Sequence, residues 1–360
     1  MSSQRAVLLV AHTGRPAAVQ SARLVLDRLT AAGLAVRVLA SEAPDLRFPV
    51  AREMPVSAEA AAGAEMVIVI GGDGTLLRAA ELARPAGAAV LGVNLGHVGF
   101  LAEADPEDLS ETVDRVVARR YAVERRMTID VTVRQNGCVT AETWALNEAT
   151  VEKAARERML DMVTEVDGRP LSRWGCDGVV FATPTGSTAY AFSAGGPVVW
   201  PEVEALLLVP ISAHALFAGP MVVSPRSVLA AEVIGGPSAW PPGAAMDGHG
   251  EASGAVLWCD GRRKVDLPPG ARVEVRRGVR PVLLARLRGA GQVGAAEDGT
   301  VQDGTVQDYP AQGGTETGAL FTDRLVAKFG LPVKGWRGQA DARRAVAAAG
   351  QREEGPSGDA

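Results

Sequence analysis

Cysteine and histidine are scarce in this sequence. The three cysteines, Cys138, Cys176 and Cys259, are odd in number and have no CxxC spacing, so they support neither a disulfide framework nor a zinc ribbon. The four histidines, His12, His97, His214 and His249, form no HExxH pattern, and no protein-built transition-metal site is expected. No apolar run reaches the roughly 18 residues that a membrane-spanning helix needs. Met1-Ser-Ser-Gln-Arg5 leads straight into Ala6-Val-Leu-Leu-Val10, too short for a signal-peptide core, which points to a cytoplasmic protein. A basic excess is lacking too: 37 Lys and Arg face 42 Asp and Glu, for a net charge of −5, so nucleic acid is not an expected partner. GxxxxGK[ST] does not occur and GxGxxG is absent from the alternating first third, which weakens P-loop and dinucleotide-fingerprint readings, and no GxSxG nucleophile elbow is present.

What is present is a globular composition, 47% hydrophobic and 22% charged over 360 residues. At about 150 residues per domain this length suggests two domains. The first third alternates apolar runs with helical patterns: Ala6 to Val10, Ala17 to Thr30, Ala35 to Leu39, Met66 to Ile70, Leu76 to Ala83, Ala88 to Val93. Such alternation predicts crossover connections and a Rossmann-like parallel sheet covered by helices, an α/β domain over 1–126. From residue 127 the segments become short, β-branched and turn-bounded, among them Thr128 to Val133, Thr143 to Val151, Met159 to Val166, Gly178 to Ala182 and Ala255 to Cys259. They predict a mainly β C-terminal domain over 127–288. Gly235 to Gly250 reads as a Gly/Pro-rich loop insertion. Gly289 to Ala319 has no Lys or Arg but has five acidic residues and the tandem Asp298-Gly-Thr-Val-Gln302, Asp303-Gly-Thr-Val-Gln307, and it reads as a disordered acidic insertion. Residues 320–337 have helical spacing and are expected to pack back onto the N-terminal domain, with a flexible tail over 338–360.

Four stretches carry chemistry. Met66 to Ile70 delivers Gly71-Gly72-Asp73-Gly74-Thr75 to the start of a helix, a phosphate cradle in which helix N–H groups and the dipole face an anion. A carboxylate placed among phosphates calls for a bridging cation or a proton taken from a nucleophilic hydroxyl, which makes Asp73 the candidate base. The alternative is a tight turn in which Asp73 only caps the helix. Gly92-Val-Asn94-Leu-Gly96-His97-Val-Gly99-Phe100 ends another strand-like run and would let a planar base sit against Phe100, while His97 reads as a packed loop residue. In Trp144-Ala-Leu-Asn147-Glu148-Ala-Thr-Val151, adjacent Asn and Glu would point to opposite faces of a strand, so burying both needs partners on each side unless the strand ends there. A carboxylate pairs with a ribose diol and an amide reads an adenine edge; a solvated strand end is the plainer reading. Finally, Asp177 to Pro197 feeds a strand into a run of hydroxyls and glycines suited to a polar, phosphate-bearing ligand, with Cys176 a packed residue rather than a nucleophile.

In this order and spacing, Gly71 to Thr75, Asn94 to Phe100, Ala145 to Glu148 and Asp177 to Gly196 resemble the NAD kinase family. The match is closest to its actinobacterial form, including Ala11 to Arg15 and Trp258 to Arg262. The resemblance implies transfer of the terminal phosphoryl group of ATP, or of polyphosphate, to the 2′-hydroxyl of the adenosine ribose of NAD. It also implies Asp73 as base, with Gly71, Gly72, Gly74, Thr75 and Arg78 holding the donor phosphates together with Mg2+ or another divalent cation carried by ATP. Asp73, Gly74, Leu77, Phe100, Asn147, Glu148, Thr185, Thr188, Ala189 and Tyr190 would line the NAD pocket, with Asp177 reaching the dinucleotide across a contact in a homodimer or homotetramer. Trp240 and Asp247 inherit no family role. Two other readings share parts of this pattern: a related GGDG kinase acting on a lipid or sugar alcohol, and a non-catalytic NAD-sensing module.

Overall fold

The computed structural model describes residues 4–94, 101, 109–154, 159–214, 217–234, 254–287 and 314–331. The N-terminal part runs β1 (Ala6–Ala11), α1 (Pro16–Ala31), β2 (Ala35–Leu39), α2 (Ala43–Leu46), β3 (Arg52–Met54), β4 (Met66–Ile70), α3 (Asp73–Ala86), β5 (Ala89–Val93), α4 (Leu109–Val117) and β6 (Tyr121–Arg126). The next nine strands before Gly178 and after it are β7 (Ile129–Gln135), β8 (Cys138–Ala145), β9 (Glu148–Lys153), β10 (Leu160–Val166), β11 (Arg169–Cys176), β12 (Gly178–Ala182), then, past a short helix α5 (Tyr190–Ser193), β13 (Leu206–Ile211), β14 (Met221–Val223) and β15 (Leu229–Val233). They are followed by β16 (Ala255–Cys259), β17 (Arg263–Leu267), β18 (Arg272–Arg277) and β19 (Val282–Leu287).

The first sheet has the order β3-β2-β1-β4-β5-β19-β6. Every neighbour pairs in parallel except β19 with β6, which are antiparallel. Its central strands β1, β4 and β5 are apolar and buried on both faces, as a sheet covered on both sides requires. Val7, Leu9 and Ala11 pack with α1 and α4, while Leu8 and Val10 pack with Leu76, Ala79, Ala80 and Ala83 of α3. Pro16 opens α1, where its missing N–H costs nothing. Gly87, at φ 67°, closes α3 in the left-handed conformation that glycine adopts without strain. The chain leaves β1 toward β2 and β3 on one side and returns to β4 on the other, so the sheet order reverses between β1 and β4. Ligands of open α/β sheets bind at the carboxyl ends of the strands beside such a reversal. The loop starting at Gly71 sits there, with His12 N–H donating to Ile70 O at 3.0 Å and Gly71 N–H to Val93 O at 3.1 Å.

Two antiparallel sheets follow, β11-β10-β15-β18-β7-β8 and β14-β13-β12-β9-β16-β17. Alternate residues of β7 and β10 are buried, the mark of a sheet covered on one face. One apolar core contains the inner faces of both sheets, including Ile129, Met162, Trp174, Val179, Phe181 and Leu257. Strand β12 is buried throughout, because its other face, Val180 and Ala182, packs with Ala191 of α5. The expected α/β and mainly β parts are both present, with a difference at the boundary: β19, which the sequence reading placed with the β part, pairs with β5 and β6 in the first sheet. The first and later sheets belong to one compact unit.

A second unit holds the helix α6 (Gly314–Phe329). It begins six residues before the expected boundary at 320, so the end of the stretch read as disordered is helical. The Gly235 to Gly250 insertion, the rest of the acidic stretch and the 338–360 tail lie outside the described residues. No helix among the described residues is long and apolar enough to cross a membrane.

The sandwich core sets the stability of the β part. Phe181→Ala empties a fully buried site, and urea denaturation is expected to show a loss of about 3–5 kcal/mol. Val279→Ala, at a residue 93% exposed, is expected to stay within about 0.5 kcal/mol of the unaltered chain.

Candidate active site

The loop after β4 has the expected strand-loop-helix form. Gly72 is the N-cap of α3 and Asp73 the first helical residue, with no side-chain cap. Asp73 therefore does not serve as the cap, the alternative its position in a tight turn allowed. Its Oδ1 accepts from Leu101 N–H at 3.4 Å. A Cβ on Gly71 would lie 2.6 Å from Thr75 Oγ1, so glycine lets that turn close. Among the described residues, Cβ atoms at Gly72 and Gly74 would meet nothing within 4 Å, so none of those residues crowds the backbone on either side of Asp73. Thr75 is buried, and Leu77 and Arg78 are half-buried. The Arg78 guanidinium is ion-paired with Glu42 and donates to Ala11 O at 3.1 Å. Glu42 Oε2 in turn accepts from Ala11 N–H at 2.8 Å. Burial raises the Glu42 pKa, against the opposing effects of Ala11 N–H and Arg78.

Asn147 and Glu148 stand where β8 stops and β9 starts, and both are buried at 8% exposure. The strand does end there, yet the end is not solvated. Its backbone is satisfied by side chains and neighbouring backbone alike. Asp260 accepts from Leu146 N–H at 3.0 Å and from Asn147 N–H at 2.7 Å. Thr183 Oγ1 donates to Leu146 O at 2.6 Å, and Thr183 N–H to Asn147 O at 2.9 Å. A Cβ on Gly186 would lie 2.0 Å from Asn147 O, so only glycine lets the Thr183–Gly186 segment lie this close. The hydroxyl run forms one 3₁₀ turn over Thr185–Thr188 and then α5. Thr185 and Thr188 are buried, Ala189 is half-buried and Tyr190 is 38% exposed.

Glu148 has a ligand-seeking environment. Its Oε2 is buried and has no hydrogen-bond partner among the described residues. Burial, and then the charge of Asp260, push its pKa up to about 8, with Tyr190 N–H opposing. Asp177 is different: a hydrogen bond from Lys153 holds its pKa low, and the pair lies at the surface. Burial pushes the Cys176 thiol up to about 12, which fits a packed residue. Phe100 and His97 lie outside the described residues.

The sequence reading gave no role to Asp260, Arg263, Glu81, Lys153 or Glu42. Arg263 Nη2 donates to Asp260 Oδ2 at 2.8 Å and to Trp144 O at 2.7 Å, and Nη1 reaches Glu81 of α3 at 2.7 Å. The Trp144 ring contacts two guanidiniums, Arg84 at 4.3 Å and Arg263 at 4.5 Å from its centroid. Asp260 lies within Trp258 to Arg262, one of the stretches that carry the resemblance, but its Asp260-Gly261 pair reads as an ordinary turn and points to no role.

The raised Glu148 pKa gives a pH prediction. The folded state takes up this proton more readily than the unfolded chain, so the stability it carries is complete below about pH 4.5 and is lost as pH rises through about 8. Glu148→Gln removes the titration. Thermal melts from pH 5 to pH 8 are expected to show the variant gaining on the unaltered chain, by a few kcal/mol (order of magnitude) at the upper end. A difference that stays constant over that range contradicts the burial argument.

Comparison with known proteins gives the family. The model of the ATP-NAD kinase N-terminal domain matches residues 7–121, and that of the ATP-NAD kinase C-terminal domain matches residues 146–287. An NAD kinase of Thermobifida fusca is 57% identical over 351 residues, 95% of this chain and 94% of that protein. NAD kinase 2 of Streptomyces coelicolor is 57% identical over 336 residues, 93% and 97% of the two chains. Among solved structures, an Archaeoglobus fulgidus NAD kinase in complex with ATP superposes with a TM-score of 0.56 at 26% identity, covering 79% of this chain and 94% of that one. Yeast NADH kinase complexed with NADH shares the fold, with a TM-score of 0.68 at 23% identity over 79% and 83% of the chains. With both domain models matched in order and the strand-loop-helix of Asp73 in place, this chain belongs to the NAD kinase family.

Proposed function

We propose that the chain transfers the terminal phosphoryl group of ATP to the 2′-hydroxyl of the adenosine ribose of NAD, giving NADP and ADP, with Asp73 as the base. The observation that carries this reading is Asp73 in the first turn of α3, between two glycines whose Cβ positions no described residue crowds. Helix N–H groups there face the donor phosphates, and the open backbone lets the phosphates come close. The 2′-oxygen attacks the terminal phosphorus, an O–P bond forms, the bond to the β-phosphate oxygen breaks, and the hydroxyl proton passes to the Asp73 carboxylate. Mg2+ or another divalent cation enters as part of the ATP substrate, held by its phosphates, and neutralises charge on the leaving group.

Glu148 and Asn147 anchor the adenosine end. The buried, unpartnered Glu148 Oε2 has the chemistry to meet a ribose hydroxyl, which repairs its unmet hydrogen bond. Thr185, Thr188, Ala189 and Tyr190 complete that wall, with Leu77 on the side of the Asp73 loop; Phe100 keeps the adenine-packing role that the family resemblance implies. Gly71, Gly72, Gly74 and Thr75 cradle the donor phosphates; Arg78 reaches them only by sharing its guanidinium with Glu42. Exposed Tyr190, Phe192, Phe217 and Val222 supply apolar surface for a homodimer or homotetramer, in which Asp177, held by Lys153, reaches a dinucleotide on the neighbouring subunit.

Purified chain with NAD, MgATP and an NADP-specific dehydrogenase is expected to form NADP. Asp73→Asn is expected to keep NAD binding within a few-fold and to lose about 10²–10⁴ in kcat, the range of a general base. Unchanged turnover in that variant overturns the role of Asp73.

A further inference from the structure

Two pieces of this site come from distant parts of the chain. Asp73 starts α3, and Asn147 and Glu148 stand between β8 and β9 of the β part. Transfer between two bound substrates is sensitive to misplacement of about 1 Å. Something in the chain has to fix the helix against the turn, and one path of charged side chains does so directly.

We propose that Glu81, Arg263 and Asp260 form a positioning relay that sets the adenosine-binding turn relative to Asp73; this rests on the functional reading above. Glu81 lies on the same helix as Asp73, eight residues on, about 12 Å along the axis at 1.5 Å per residue. Its carboxylate accepts from Arg263 at 2.7 Å and from Arg262 at 3.0 Å. Arg263 passes the constraint to Asp260 at 2.8 Å, and Asp260 holds both amide N–H groups of the turn. Asp260 is 2% exposed at its side chain, so its charge depends on Arg263 and the two N–H groups. Arg263 is itself pinned by Trp144 O and by the Trp144 ring, with Arg84 of the same helix on that ring as well. The planar fork of arginine meets these three acceptors in one fixed geometry, where a lysine ammonium is a point charge without that fork. None of the three residues has to touch substrate: the relay acts through Asp73 and the turn.

The relay predicts a split between binding and turnover. In Glu81→Gln, Asp260 and Arg263 still hold the turn, so NAD binds normally while the charged link between the helix and Arg263 is weakened. Calorimetry is expected to give an NAD Kd within twofold of the unaltered chain, and the steady-state assay at saturating MgATP about a tenfold fall in kcat per NAD-binding site. Glu81→Asp, which keeps the carboxylate, is expected to recover part of that loss. Asp260→Asn, which loosens the turn itself, is expected to weaken NAD binding as well. A kcat for Glu81→Gln within twofold of the unaltered chain overturns the relay, as does a fall in kcat matched by an equal rise in Kd. If the unaltered chain forms no NADP, the functional reading fails; if it forms NADP and Glu81→Gln is unaffected, the relay alone fails.

Discussion

A single buried carboxylate governs the architecture of the site. Where β8 and β9 part, Leu146 and Asn147 present two amide N–H groups and two carbonyls that no strand partner meets. Leaving even one of them buried and unmet costs about 1–3 kcal/mol. Asp260 takes both N–H groups, and Thr183 meets both carbonyls with its hydroxyl and its own N–H. The turn is thereby held by elements far apart in sequence: the end of β16 on one side and the segment after β12 on the other. Leu146 also enters the apolar core beneath α3, so this turn residue ties the β part to the first sheet.

The electrostatic consequence falls on the next residue. Glu148 sits beside the charge that secures the turn, is buried itself, and has one oxygen without a partner among the described residues. A folded chain tolerates such a group where function needs it, since a ligand hydroxyl can supply what the protein withholds. Arg263 moderates the cost at Asp260 and joins it to the helix that carries Asp73. Stability and geometry are therefore linked in one network.

Much of this was legible in the sequence for definite reasons. Met66 to Ile70 followed by Gly71-Gly-Asp-Gly is a short-range pattern, and local geometry alone places Asp73 at a helix start. Asn147 and Glu148 were found because adjacent polar residues in an apolar segment demand an explanation. The partners that satisfy them were not found. Asp260 lies 113 residues from Asn147, and an Asp-Gly pair after a strand looks the same whether it faces solvent or clamps a buried turn. Strand β19 was misplaced for a related reason: an apolar run states that it will be buried, not which sheet will take it. Arg78 shows the reverse, since a cation near phosphates looks free until Glu42, 36 residues away, is seen to hold it.

The site depends on the turn at Leu146 and Asn147 being built before any ligand arrives. Amide hydrogen exchange at these two residues, measured with and without NAD, tests that most directly. Preformed clamping predicts protection in the ligand-free chain comparable to that of neighbouring β9, with little change when NAD binds. Fast exchange at both amides in the free chain, slowed only by NAD, would contradict it and make the turn a product of binding rather than its template.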